Sequence, residues 1–246
     1  MEIRPDASVD EAVFVLVDQT TLFDKRLQDQ IISVARSKLE PGNHIYLAKF
    51  SAFVDGYYND WLFEATLDRP LNESQRYDVR KSTLLRLDNC LKKQKKYVRR
   101  KIRKSLEGAF LRKGNSIPKS DILFALKDFS ENVIKEFPAR HKIVILASDM
   151  LENSSVTSFY RHGHLRTIDP SYELRKVEKA GLFGDFGGAD VYVIGTGIVS
   201  DPSRRRVGYK DTKSLMQLKK FWRRYFENSN ARLVEMGTPA LKHPLR

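Results

Sequence analysis

Two aspartates, Asp18 and Asp149, each stand behind a short aliphatic run, AVFVLV before the first and KIVILAS before the second. Runs this short and this rich in β-branched residues read as central parallel strands, and the polar residues that end them mark the carboxyl rim of the sheet. Ligands bind at that rim in open α/β sheets, so two carboxylates carried there by different strands point to a polar or metal site. The simpler role for the same carboxylates is capping, since each would satisfy N–H groups and meet the positive end of the helix that follows its strand.

A second group of residues carries charge rather than coordination chemistry. Between Leu91 and Lys113 eleven cations are opposed by Glu107 alone. Crowding of like charge costs helix stability unless an anion neutralises it. Lys92, Lys93, Lys95, Lys96, Arg99, Arg100, Arg103 and Lys104 are therefore read as a nucleic-acid-binding face, with Tyr97 among them as a stacking surface. An acidic protein would answer the same charge, and a solvated helix face is the bland alternative.

The elements that position these residues can be traced along the chain. The first strand spans about Ala12–Val17 and a helix about Lys25–Lys38, with Asp24 as its cap and Pro41-Gly42-Asn43 as its stop. His44–Phe53 and Asp60–Leu67 read as an antiparallel edge hairpin turning near Gly56. Leu84, Leu87, Leu91, Val98, Ile102, Leu106 and Ala109 share a stripe on one helix from about Ser74 to Arg112, broken by Lys113-Gly114-Asn115. Ser120-Asp121 caps a helix running to about Phe137, and Lys142–Ala147 is the second central strand. The polar excursion that follows is longer than an ordinary connection, which makes it a lid, a docking loop or a mobile insert. Ala189–Ile194, a helix over about Lys213–Asn228 whose core is Phe221, Trp222, Tyr225 and Phe226, and a strand near Ala231–Met236 complete the chain. The alternation predicts an α/β fold: a doubly wound, mostly parallel central sheet with one antiparallel edge strand, in three layers.

Composition bounds the possibilities. The 246 residues suit one domain, with a basic helical insertion over about 74–113 and a long loop insertion over about 150–188. The net charge of +13 favours nucleic acid, an acidic protein or an anionic surface as partner. Cys90 is the sole cysteine, so an internal disulfide and a cysteine-based zinc cluster are excluded. The polar opening MEIRPDASVDEA lacks a signal-peptide pattern, and no apolar run nears the roughly 18 residues a membrane helix needs. The expectation is a soluble cytoplasmic protein with no membrane partner. His162 and His164 sit between Arg161 and Arg166 and read as loop surface, while Gly195 and Gly197 lack the context of a dinucleotide fingerprint.

Three motifs in order, VLVDQTT, KSDILFALKDF and KIVILASDML, followed by the strand VYVIGTG, resemble the von Willebrand factor A domain over residues of about 12 to 236. The resemblance implies a metal-ion-dependent adhesion site, in which hydroxyl and carboxylate oxygens hold magnesium or another divalent cation and leave one position for a partner's acidic side chain. Asp18 and Thr20 match the first two ligands of that family's Asp-x-Ser-x-Ser motif, Ser120 matches its loop threonine and Asp149 its last aspartate. Leu22 stands where the third hydroxyl belongs. A hard cation takes about six oxygens, so water, Thr21 or Asp121 completes the set, or binding is weak or lost. Ser120 alone also reads as a helix cap.

The function this implies is a noncatalytic scaffold or adaptor in a multiprotein complex, joined to DNA or RNA through the basic helix. The rivals are a metal-dependent nuclease, in which rim carboxylates position magnesium for phosphodiester cleavage, and a metal-free nucleic-acid-binding protein. A second pair of rim carboxylates is missing, which weighs against the nuclease.

Overall fold

The computed structural model of the chain describes residues 9–54, 57–111, 120–161, 164–198 and 212–246. Six strands form the central sheet: β1 (Val9–Asp18), β2 (His44–Val54), β3 (Tyr57–Thr66), β4 (Ala139–Ala147), β7 (Ala189–Ile194) and β8 (Ala231–Met236). Their order is β3-β2-β1-β4-β7-β8, with β2 and β3 antiparallel and every other neighbouring pair parallel. A small hairpin, β5 (Tyr160–Arg161) with β6 (His164–Leu165), lies apart from it.

Period-two alternation makes the central strands bury both faces. Ala12, Phe14 and Leu16 of β1 join Val144 and Leu146 of β4 and Val191 and Val193 of β7 in one core. Val13, Val15 and Val17 turn the other way and meet Ile143, Ile145, Tyr192 and Ile194. The first core is covered by α4 (Ile122–Phe129), α5 (Pro170–Lys179) and α6 (Thr212–Asn228). The second is covered by α1 (Lys25–Ser37) and α3 (Lys81–Phe110), the latter through Val98, Ile102, Leu106 and Ala109. The result is a three-layer, doubly wound α/β fold, the architecture of von Willebrand factor A and Rossmann-like domains.

Several elements differ from the sequence reading. The single helix expected from Ser74 to Arg112 is two, α2 (Glu73–Tyr77) and α3. Asn72 and Gln75 form a capping box that starts α2, and Arg76 folds it onto α3 through two hydrogen bonds of 2.9 Å to Asp88. The helix expected to reach Phe137 stops at Phe129, where the chain enters a π-turn over Ser130–Ile134. Neither Asp121 nor Ser120 caps it: Asp121 occupies the N-cap position without a side-chain cap bond, and Ser120 Oγ faces Thr20 instead. The buried carboxyl group of Glu152 accepts from Leu123 N at 2.9 Å in their place.

The excursion over 150–188 is not a structureless loop. Asp169 caps α5 by accepting from Ser171 N and Tyr172 N, with Pro170 at the first helical position. Leu151, Phe159, Leu174, Val177, Leu182 and Phe186 are buried in the first core. An Asp-Pro start followed by Leu and Val three residues apart is a helix signal, hidden here by the polar residues around it. His162, Arg204-Arg205-Arg206, Lys113-Gly114-Asn115 and the Gly56 turn lie outside the described residues, as does the side chain of His164.

Candidate metal centre at the sheet rim

Strand register delivers the two aspartates to one rim. Asp18 is the last residue of β1, one beyond the Val17–Ala147 pair, and Asp149 lies two beyond Ala147 on β4. The intervening connection is made of hydroxyls. Thr20 donates to Asp18 Oδ1 through its backbone N at 2.8 Å and its Oγ1 at 2.6 Å, while Thr21 Oγ1 and Ser148 Oγ reach Asp18 Oδ2 at 3.1 and 2.8 Å. Thr20 Oγ1 lies 3.1 Å from Ser120 Oγ. Thr21 Oγ1 also accepts from Asp149 N at 3.0 Å, which ties the two strand ends together. Asp149 Oδ1 accepts from Leu151 N, and Tyr160 OH lies 3.3 Å from Asp149 Oδ2. Asp18, Thr20, Ser120 and Asp149 thus form one cluster with Thr21, Ser148 and Tyr160.

The cluster is rigidly built. Met150, next to Asp149, is fully buried at φ 60°, a left-handed conformation that a non-glycine side chain adopts only when its surroundings enforce it. Its N donates to Ser148 Oγ and its carbonyl accepts from Trp222 Nε1, both at 2.9 Å. On the β7 side, Gly195 at φ 108° packs so close that a Cβ would lie 2.8 Å from the Phe23 ring and 3.0 Å from Ser148 O. Gly197 N donates to Asp149 O. The two glycines are therefore rim turns rather than a phosphate loop.

Electrostatics distinguishes Asp18 from an ordinary cap. It is 0% exposed, and burial raises its carboxyl above the ordinary range against the opposing pull of Thr20, Ser148 and Thr21. All of those partners are neutral. A buried carboxylate with neutral partners is stabilised by either a proton or a cation. Burial also pushes the Tyr160 phenol upward, and the charges of Asp149 and Asp18 add to it, so Tyr160 remains a proton donor. The donor set is hydroxyl and carboxylate oxygen, which suits a hard divalent cation and not a thiolate or imidazole metal. The Thr21 hydroxyl is engaged on Asp18 Oδ2 and on Asp149 N. Leu22 puts a 49% exposed aliphatic side chain where the third hydroxyl would stand. Asp18, Thr20, Ser120 and Asp149 are the residues that would offer oxygens to such an ion, with water to complete its shell.

The basic residues lie elsewhere, on α3. Lys92, Lys93, Lys96, Arg99, Arg100, Arg103 and Lys104 are exposed and Lys95 is half-buried. Lys95 pairs with Glu40 at 3.0 Å and Arg103 with Glu107 at 3.5 Å, while the other six make no ion pair among the described residues. The Tyr97 ring already has Lys101 and Arg100 within 5.4 and 5.8 Å of its centroid.

Ser148 and Tyr160 are site residues that the sequence reading did not single out. The Ser-Asp ending of β4 was a usable signal for Ser148, whereas Tyr160 reaches Asp149 through a fold that no local pattern encodes.

No family model and no curated protein matches the chain. Among solved structures, the chain is similar to an aerotolerance-related membrane protein from Bacteroides fragilis NCTC 9343, a form carrying multiple mutations to serines. The two share 9% identity at a TM-score of 0.39, over 93% of this chain and 92% of that one.

Proposed function

We propose that the chain is a noncatalytic interaction module whose rim site holds a divalent cation and, through it, a carboxylate of a protein partner. The observation that carries this reading is the convergence of Asp18, Thr20, Ser120 and Asp149 around a fully buried carboxylate whose hydrogen-bond partners among the described residues are all neutral. Bound there, the ion would supply Lewis-acid attraction for an acidic side chain. The protein's own part is positional: Thr21 locks the strand ends together, Ser148 orients Asp18, and Tyr160 orients Asp149. Leu22 adds an apolar contact beside the acidic one. Affinity capture of partners with magnesium or with chelator tests this, using Asp149→Ala beside wild type. A partner retained only by wild type with magnesium supports the reading, and retention unaffected by both changes contradicts it.

The cations of α3 support a second activity, contact with DNA or RNA, because six of the eight make no ion pair among the described residues. Binding of a labelled duplex and single strand across a salt series should fall steeply, and a variant with Lys95, Lys96, Arg99 and Arg100 changed to Ala should lose it. Such binding should survive chelation, because none of the α3 cations belongs to the rim cluster; a protein that binds nucleic acid but captures no magnesium-dependent partner would favour the metal-free nucleic-acid-binding reading over the adaptor. Cleavage of plasmid or RNA by pure protein with magnesium, abolished by Asp149→Ala, would replace both with the nuclease.

A further inference from the structure

Helices α1 and α3 pack side by side on the second core and leave a groove of about 660 Å³ between them. Five cations line it, Lys25, Arg36, Lys95, Arg99 and Arg103, against two carboxylates, Asp29 and Glu40. The carboxylates are already used: Asp29 pairs with Lys25 and Glu40 with Lys95, both at 3.0 Å. Three guanidinium groups remain. Arg99 and Arg103 stand one helical turn apart on α3 and face Arg36 on α1. Arg103 reaches Glu107 at 3.5 Å, while Arg99 and Arg36 have no ion pair among the described residues. The Nε of Arg36 is buried without an acceptor, an arrangement that is costly unless a ligand supplies one.

The charges of α3 also act on α1. The Arg36 guanidinium is held below its ordinary range by burial first and then by the charges of Arg99 and Arg103. Packing that concentrates like charge in a concave site stores repulsion which an anion would relieve. Guanidinium forks match the tetrahedral oxygens of a phosphate bidentately, better than ammonium groups or scattered surface charge do.

We infer that the α1/α3 groove is a discrete phosphate-binding site formed by Arg36, Arg99 and Arg103. It takes a phosphoryl group, from a nucleic-acid backbone or from a small phosphorylated molecule. It goes beyond the cationic-face reading, because a face that attracts DNA or RNA diffusely needs no pocket. It is also independent of the rim site, so chelation leaves it unchanged.

The test is binding of pyrophosphate, by calorimetry and thermal shift, against chloride at matched ionic strength. Two double variants remove equal charge: Arg99→Ala with Arg103→Ala inside the groove, and Lys96→Ala with Arg100→Ala outside it. All four side chains are exposed, so both variants should fold. The site predicts saturable pyrophosphate binding, weakened about tenfold or more by the groove variant and less than about twofold by the outer one. A second arm identifies the source. If pyrophosphate displaces a labelled single strand at its own binding midpoint, the groove takes backbone phosphate, and if pyrophosphate binds without displacing the strand, it takes a small phosphorylated molecule. Either result supports the site. Pyrophosphate that acts no differently from chloride, or two variants that weaken it equally, overturns it.

Discussion

Replacing Glu152 with Gln should make the protein more stable in alkaline solution. Glu152 is fully buried, accepts from Leu123 N at the start of α4, and has its other carboxyl oxygen without a partner. Burial is the main cause that raises its pKa from an ordinary 4.5 to about 8, and the Ser154 hydroxyl and the backbone N–H groups of Leu123 and Ile122 oppose it only in part. Between those two values the folded chain holds a proton that the unfolded chain has released. Stability from this group is therefore complete below about pH 4.5 and is lost as pH rises through about 8. At about 1.4 kcal/mol for each pH unit the ceiling is roughly 5 kcal/mol, and relaxation or water entry would bring it to a few kcal/mol. The amide introduced by Glu152→Gln would keep an oxygen for Leu123 N and could not ionise. Urea unfolding at pH 5, 7 and 9 should show wild type losing a few kcal/mol more than the variant across that range. Parallel pH profiles for the two proteins, within about 0.5 kcal/mol, would refute the assignment of a buried proton to Glu152.

Other perturbations probe the rim. Leu22→Ser restores the missing hydroxyl at a half-exposed position, so divalent affinity should rise on the order of tenfold with little change in melting temperature, as calorimetry would show. Trp222→Phe leaves the buried Met150 carbonyl without its donor and should cost about 1–3 kcal/mol in urea unfolding. Because Met150 follows Asp149 directly, the same variant should also weaken divalent binding, a readout that a remote core defect would leave unchanged.

The strands that face only the core were legible from the chain alone. Ala189–Ile194 falls where its aliphatic run predicted it, since burial on both faces writes a continuous signal, and the half-buried edge strand Ala231–Met236 also lies where it was expected. Asp18 and Asp149 were legible for the same reason, as the first polar groups after such runs. Elements set by tertiary contacts were not. The α2–α3 break depends on Arg76 reaching Asp88, and the start of α4 depends on Glu152, 29 residues beyond Leu123. Thr21 and Asp149 are 128 residues apart, so their hydrogen bond leaves no local pattern. The cationic run on α3 was plain, yet its split into an outer face and an α1-facing groove depends on Arg36, which belongs to a helix read as ordinary.

The measurement closest to the central claim is calorimetric titration of the protein with magnesium and manganese, repeated for Asp18→Asn and Asp149→Ala. The account predicts one divalent ion per chain for wild type, with heat and affinity lost in both variants while their folds persist by circular dichroism. Wild type that takes up no ion, or variants that bind it as well as wild type does, would contradict a cation at the rim.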